Sequence, residues 1–255
     1  MDPPPSPVDS GTKGAASVAA SPGLTGRKAR WRRVVIIWLM ATAAMVTSAC
    51  ANPPATCPGA RTTAVDEFSA PTIDATKWRI DDPAGLLSLH DGRLVYTGTV
   101  ARQAMLTARQ GSGAGFFVLK FRDFHTSNNS PAAVHAGSFG ALGLGVGDNF
   151  VRVMRGAVVR GGYFEANHFV DGTVQVWHVG ATTGEGMLGL LYDGSAVTSF
   201  YNTGSDPGQG WTQVGPVISP GWRTAPKLFV SGYPGGSGTT RFAVDSITQA
   251  VCPAR

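Results

Sequence analysis

Hydrophobic and polar residues alternate in short runs along most of the chain after residue 60. Runs such as 115–124 (GFFVLKFRDF), 173–180 (TVQVWHVG) and 241–251 (RFAVDSITQAV) are rich in β-branched and aromatic residues and are bounded by turn-forming residues. A period of two residues is typical of a strand with one buried face. No segment after residue 60 combines a helical period with capping residues. The pattern therefore predicts an all-β domain of about ten strands.

The sequence predicts one hairpin together with the type of turn that connects its strands. Residues 86–90 (LLSLH) and 93–100 (RLVYTGTV) are separated by Asp91 and Gly92. Asp-Gly between two alternating runs favours a two-residue turn in which both central residues have positive φ. Further strands are predicted at 140–147, 150–159, 186–194, 196–204 and 227–234. Many short strands joined by turns are typical of an antiparallel sandwich or barrel.

The N-terminal segment has a different composition. Residues 1–26 are rich in Pro, Ser, Gly and Ala without an apolar period, which predicts a disordered tail. The basic stretch RKARWRR precedes the apolar run VVIIWLMATAAMV, which is shorter than the roughly 20 residues of a bilayer span but suits a signal peptide. We therefore expect residues 27–51 to direct export, either as a signal peptide or as an uncleaved membrane anchor. The expected order continues with a linker over 52–63 and the β domain over 64–255.

The charge of the chain is concentrated before the predicted domain. The formal net charge is +5, but residues 1–51 hold six basic and two acidic residues, which leaves 15 of the 21 basic and 14 of the 16 acidic residues beyond them. The domain is therefore nearly neutral. Its net charge gives no reason to expect nucleic acid or another polyanion as a partner.

Three cysteines bear on the compartment. Residues 47–50 (TSAC) resemble the lipobox of bacterial lipoproteins, with Thr47 where an aliphatic residue is usual, and predict lipidation of Cys50. Residues 49–51 (ACA) equally fit an ordinary signal-peptidase site, which would remove Cys50. Either route leaves Cys57 and Cys252. In an exported chain these two suggest a disulfide, with two free thiols as the alternative.

The ends of the predicted domain resemble the concanavalin A-like lectin/glucanase superfamily. DEFSAPTIDATKWRI at 66–80 is similar to its entry segment, and TTRFAVDSITQ at 239–249 resembles its last strand. LLYDGSAVTSFYNTGSDPGQGWTQVGPV at 190–217 is similar to a recurring hairpin pair of the superfamily. The resemblance implies a two-sheet antiparallel jelly-roll sandwich with adjacent terminal strands. That adjacency is what a Cys57–Cys252 bond requires.

Catalytic residues are not predicted. Glucanases of this superfamily carry an E-x-D-x-x-E strand, because retaining hydrolysis needs two carboxyl groups about 5 to 5.5 Å apart and alternate strand residues share a face. The domain contains only Glu67, Glu165 and Glu185, with no two within five residues of each other. Lyases on the same scaffold use a Tyr or His base, for which Tyr163 and His168 in GGYFEANHF are candidates. The alternative is that Tyr163 is a plain strand residue and His168 an exposed turn residue.

Cofactors are not expected either. The chain has no Cys-x-x-Cys pair and no His-Glu-x-x-His motif, so no zinc site is predicted. Asp and Asn in loops such as 145–150 (GVGDNF) could ligate Ca²⁺, and a bare turn is the alternative.

Carbohydrate binding has candidate residues, because aromatic rings stack on sugar faces while amides and carboxylates bind hydroxyls. The candidates are Trp177, Gln175, Tyr163, His168 and Trp211. If Val174 and Val176 are buried, Gln175 and Trp177 point outward together. Alternatively, Trp177 belongs to the core.

The resulting expectation is an exported or surface-anchored, non-catalytic domain that binds a neutral or weakly charged glycan, attached to the membrane through its N-terminal segment. A polysaccharide hydrolase or lyase with residues converging from separate strands is the alternative. A structural envelope protein that binds another protein is a third possibility.

We predict that the exported protein contains a Cys57–Cys252 disulfide and that Cys50 is lipidated or removed. Closing a loop of roughly 200 residues stabilises a fold by about 4 to 5 kcal/mol in the chain-entropy account. Intact mass should rise by two hydrogens upon reduction, and an unchanged mass would contradict the bond. Inhibition of lipoprotein processing should block maturation if Cys50 carries the lipid.

Overall fold

A computed structural model describes residues 60–99, 102–127, 138–158, 161–235 and 239–251. These residues form 15 strands, and none of them is helical. No helix in this part of the chain is therefore long and apolar enough to cross a membrane. All three cysteines and the predicted export segment lie outside the described residues.

The strands form two antiparallel sheets. The eight-stranded sheet contains, in spatial order, β13 (Thr212–Gln213), β12 (Val197–Asn202), β11 (Gly186–Tyr192), β6 (Gly115–Thr126), β15 (Thr240–Val251), β4 (Arg93–Gly98) and β3 (Leu87–His90), with β1 (Arg61–Asp66) also paired to β15. The seven-stranded sheet contains β10 (Thr173–Ala181), β9 (Gly161–Val170), β8 (Asn149–Val158), β7 (Ser138–Val146), β14 (Lys227–Tyr233), β5 (Ala104–Ala108) and β2 (Trp78–Asp81). The predicted all-β two-sheet sandwich is confirmed.

The core lies between the two sheets. Phe121 of β6 packs with its ring centroid 5.5 Å from Phe242 of β15 and 6.4 Å from Phe164 of β9, so its ring contacts both sheets. Leu142 and Val153 add fully buried aliphatic side chains from the seven-stranded sheet. Alternate residues of the central strands supply these contacts, as the period of two requires.

The predicted hairpin is confirmed together with its turn. Leu87–His90 pairs with Arg93–Tyr96, and His90 lies opposite Arg93. Asp91 and Gly92 connect them with φ values of 50° and 68°. Among the strands that the alternation pattern did not locate is β5, because the adjacent apolar residues of its sequence, AMLTA, do not alternate with polar ones.

The opening segment of the domain is held by Asp66. Its Oδ2 accepts a 2.7 Å hydrogen bond from Trp78 Nε1, and its Oδ1 accepts a 2.8 Å bond from the Phe68 backbone N–H. The Phe68 and Trp78 rings stack at 6.5 Å, and both are almost completely buried. The Asp, Phe and Trp on which the family resemblance rests are therefore structural residues.

Asp245 has a comparable role in the last strand. It lies where the register of β15 against β6 shifts between Val244 and Ser246. Its Oδ2 accepts a 2.8 Å hydrogen bond from Arg122 Nε on β6, and its Oδ1 lies 3.1 Å from Arg93 Nε on β4. The carboxylate thus ties the irregular part of β15 to both neighbouring strands.

The terminal strands are adjacent, as the resemblance implied. Arg61 pairs with Val251, and the β1–β15 ladder continues to Asp66 opposite Ile247. β1 already begins at Arg61, three residues before the expected start of the domain. Cys57 and Cys252 lie beyond the described residues, so their pairing stays a prediction.

We predict that Asp66→Ala lowers the free energy of unfolding by about 2 kcal/mol, because the buried Trp78 indole N–H and the Phe68 amide both lose their acceptor. Chemical denaturation should show this loss. Glu67→Ala is the matched control, since Glu67 is exposed and its removal should change stability by less than about 0.5 kcal/mol. Equal effects of the two variants would contradict the role of Asp66.

Candidate functional site

The outer face of the seven-stranded sheet, which points away from the core, presents side chains in rows across the strands. One row runs over all seven strands and consists of Arg79, Thr107, Phe229, Gly143, Arg152, Asn167 and Val176. The next row contains Asp81, Met105, Ser231, Ala141, Met154, Glu165 and His178. Antiparallel register alone brings these distant residues of the chain together.

A groove crosses this face. It consists of two hollows of about 220 and 610 Å³ that share Phe150 and Arg152. In the middle of β7 the outer residues are Ala141 and Gly143, and a Cβ on Gly143 would overlap the ring of Phe229. Glycine at this position therefore lets the Phe229 ring lie flat against β7 and keeps the groove open.

A polar chain lies in the smaller hollow. Arg152 Nε donates a 2.8 Å hydrogen bond to Asn167 Oδ1, and Asn167 Nδ2 donates a 2.7 Å bond to Glu165 Oε1. Glu165 is 3% exposed and Asn167 7% exposed, although they face away from the core. The amide fixes the orientation of both charged groups and sets the carboxylate at a defined place in the hollow.

Burial shifts the pKa values of the neighbouring groups. It lowers the pKa of Arg152 to about 10, an effect that the nearby Glu165 carboxylate partly opposes. The Arg152 guanidinium remains charged at neutral pH. Burial, with a smaller contribution from Glu165, raises the pKa of the Tyr163 phenol well above its usual range. Tyr163 is therefore protonated at neutral pH and is a poor general base.

Aromatic rings surround this polar chain. Arg152 lies over Phe139 at 4.7 Å and over Phe150 at 5.1 Å from the ring centroids. Phe139 packs against Tyr233 at 5.7 Å, and the half-buried Phe150 stacks on Phe169 at 6.2 Å. The hollow thus joins ring surfaces to a small set of oriented polar groups, a combination typical of ligand-binding sites.

The chemistry of the smaller hollow is limited by its acidic groups. Glu165 is the one carboxylate among its described lining residues. In the part of the chain that the structure describes, no group of three or more His, Cys, Asp or Glu residues is arranged to hold a metal ion. The suggested Ca²⁺ segment at 145–150 forms the β7–β8 turn, in which Gly147 has a φ of 58°.

Two predicted polar residues lie elsewhere than expected. His168 is not an exposed turn residue: it lies within β9, is 7% exposed, and shares the core-side face with Val151. Its ring stacks on Trp177 at 5.5 Å, and burial lowers its pKa. Gln175, its cross-strand partner, is exposed on the same side of β10. Neither side chain joins the polar chain around Glu165, although His168 borders the hollow.

The expected outward orientation of Trp177 is wrong. Val174 is 60% exposed and faces outward beside Phe169, so the premise that the valines are buried does not hold. Trp177 faces the other way and is half-buried, and a Cβ on Gly215 would lie 2.9 Å from its ring. The ring packs on His168 and against Gly215.

The ring of Trp211 is not exposed either. It is 1% exposed and packs on Phe116 at 5.0 Å on the outer face of the eight-stranded sheet. Its Nε1 donates a 2.9 Å hydrogen bond to the Pro207 carbonyl. Among the predicted contact residues, Tyr163 is the one whose side chain belongs to the outer face that forms the groove.

Arg152 and Asn167 were missed by the sequence analysis. A signal was present, since Tyr163, Glu165 and Asn167 alternate in β9 and Arg152 interrupts the apolar run FVRVM. Polar residues at alternate positions of a strand share a face. Which residues of β8 oppose them depends on register, which these segments do not encode locally.

Comparisons with solved structures identify the architecture. The GH43 BlXynB protein from Bacillus licheniformis aligns with a TM-score of 0.58 and 17% identity over 73% of this chain and 39% of that one. A Bacillus licheniformis β-glucanase aligns with a TM-score of 0.53 and 10% identity over 77% of this chain and 100% of that one. The chain has the concanavalin A-like fold.

A third match is the GlcNAcα1-4Gal-releasing endo-β-galactosidase from Clostridium perfringens, with a TM-score of 0.53 and 11% identity over 78% of this chain and 64% of that one. The chain spans about two fifths of the GH43 protein. No protein-family model matches the chain, and a search of curated proteins finds no relative. At these identities the matches establish the fold alone.

We predict that Trp177→Ala lowers the free energy of unfolding by about 2 to 3 kcal/mol, because it removes a half-buried ring that packs on His168 and Gly215. Thermal and denaturant unfolding measure the loss. Val174→Ala, on the opposite face of the same strand, is the control and should change stability by less than about 0.5 kcal/mol. A stable Trp177→Ala protein that has lost glycan binding would instead place the ring in the site.

Proposed function

We propose that this protein binds a polysaccharide in the groove on the outer face of its seven-stranded sheet and does not cleave it. The observation that carries the proposal is the Arg152–Asn167–Glu165 chain, set among aromatic rings in an open groove. Oriented amide, carboxylate and guanidinium groups bind sugar hydroxyls, and ring faces contact the apolar faces of pyranoses.

Phe150 and Phe169 are the ring pair best placed to contact a sugar. They stack on each other, are half-buried and line the same hollow as Glu165. Their partial exposure leaves ring surface that a ligand can cover. Tyr163 and Phe139 lie deeper in the hollow, where they support the polar chain.

Binding without cleavage is favoured by the acid–base groups. Glycoside hydrolysis ordinarily requires two carboxyl groups flanking the scissile bond. The described carboxylates that line the groove are Glu165, opposite Met154, and Asp148, six residues from Met154 along the chain. At about 3.3 Å per residue of strand, the two are too far apart to flank one bond. A lyase requires a base that is deprotonated near neutral pH. The raised pKa of Tyr163 and the core-side position of His168 make both poor candidates.

The fold matches support a glycan as the ligand. They include a β-glucanase and an endo-β-galactosidase, both of which act on carbohydrates. A fold by itself does not determine function. The proposal therefore rests on the groove, and the matches add to it.

We also propose that the protein acts outside the cytoplasm. The basic and apolar residues of the N-terminal segment are typical of an export signal. A lipid on Cys50 would hold the sandwich at the membrane surface, where a polysaccharide of the cell envelope or the surroundings is accessible.

We predict that Glu165→Gln weakens glycan binding about tenfold, since it removes a charged acceptor from a buried site while keeping its shape. Calorimetric titration with soluble β-glucan, xylan and polygalacturonate measures the affinity. Glu185→Gln is the control, because Glu185 is exposed and lies outside the groove. Affinity that is unchanged in Glu165→Gln would contradict this site.

Activity assays on the same glycans test the second half of the proposal. The wild-type protein should release neither reducing ends nor unsaturated uronates. Release of either product that is abolished in Glu165→Gln would show that the groove is catalytic.

A further inference from the structure

We infer that the polysaccharide is anionic, and that the larger hollow of the groove binds its carboxylate or sulfate groups through Arg79, Lys227 and Arg152. This inference rests on the proposed function and names its ligand class. It differs from what net charge suggests, since the domain as a whole is nearly neutral.

The cations are concentrated in one part of the groove. Arg79, Lys227 and Arg152 line the 610 Å³ hollow, and Asp148 is its one acidic side chain among the described residues. Asp81 follows Arg79 by two positions on β2 and does not line the hollow. Three cations against one carboxylate make this hollow positive on a nearly neutral domain.

Two of these cations have no internal counter-ion. In the described part of the chain, neither Arg79 nor Lys227 forms a salt bridge or a side-chain hydrogen bond, and both are exposed. By contrast, Arg122 and Arg93 on the other sheet are both paired with Asp245. The groove cations therefore remain available to a ligand.

The spacing of the cations suits a polymer. Arg79 is on β2, Lys227 on β14 and Arg152 on β8, and the sheet order places two strand intervals between each neighbouring pair. With strands about 4.8 Å apart, successive cations are separated by roughly 10 Å across the sheet. Arg79 and Arg152 lie in the same cross-strand row as Phe229, and Lys227 lies two residues along β14 from that row. Three charges spread over the width of the groove fit a chain with repeated anionic groups better than they fit a single small anion.

The floor between the cations suits sugar rings. Phe229, Phe150 and Met105 supply apolar surface in the same hollow. An apolar floor with flanking cations matches a sugar ring that bears an oxyanion.

The test compares affinities of the full-length protein for polygalacturonate, a sulfated galactan, a neutral β-glucan and single-stranded DNA at about 0.01 and 0.15 M salt, where screening differs strongly. We expect Arg79→Gln/Lys227→Gln to bind the acidic glycans about tenfold more weakly at low salt and the neutral glycan within about twofold. Asp148→Asn should bind the acidic glycans about twofold more tightly, because it removes the opposing charge.

The matched control is Arg61→Gln/Lys120→Gln, which removes two charges from the other sheet. An equal loss in this control would show a general charge effect and overturn the inference. If the neutral glycan binds as tightly as the acidic ones, the inference of an anionic ligand is overturned and the proposed function stands. If no glycan binds, both the inference and the proposed function are overturned. If Arg79→Gln/Lys227→Gln weakens DNA binding as much as it weakens binding of the acidic glycans, the inference is overturned and nucleic acid becomes the ligand class of this hollow. If polygalacturonate binds more tightly than the sulfated galactan, the groups bound are carboxylates. If the sulfated galactan binds more tightly, they are sulfates.

Discussion

The structure depends on the burial of two apolar sheet faces against each other. Phe121, Phe164 and Phe242 meet across that interface, and aliphatic residues of both sheets fill the space around them. Because side chains alternate along a strand, directing these residues inward directs their neighbours outward. The groove is a consequence of this constraint, since its residues occupy the alternate positions of the same strands.

The outer face of the seven-stranded sheet contains polar groups at a cost in free energy. Burying a carboxylate, an amide and a guanidinium removes water from each of them, and their mutual bonds recover only part of that loss. Apolar residues at Glu165 and Asn167 would serve the fold at least as well. Polar groups kept in such a position are a mark of a functional site, where perturbed pKa values also concentrate. The lowered pKa of Arg152 and the raised pKa of Tyr163 follow that pattern.

The residues that carry the family resemblance have structural roles. Asp66 binds the Trp78 indole and the Phe68 amide, and Asp245 ties β15 to its two neighbours. Neither carboxylate lines the groove. The resemblance therefore predicted architecture and adjacent termini correctly, while it contained no information about the ligand.

Local pattern determined the secondary structure of this protein. The period of two located most strands, and Asp91-Gly92 specified a turn with two positive φ values, because both features depend only on neighbouring residues. Tertiary structure decided which face of β10 is buried. Val174 and Trp177 lie on opposite faces of that strand, and alternation cannot tell which one points inward at the edge of a sheet. It also decided that Trp211 is buried against Phe116 and that Arg152 meets Asn167. These contacts join residues whose distance in the chain is unrelated to their distance in space, and register, which sets them, is a property of the assembled sheet.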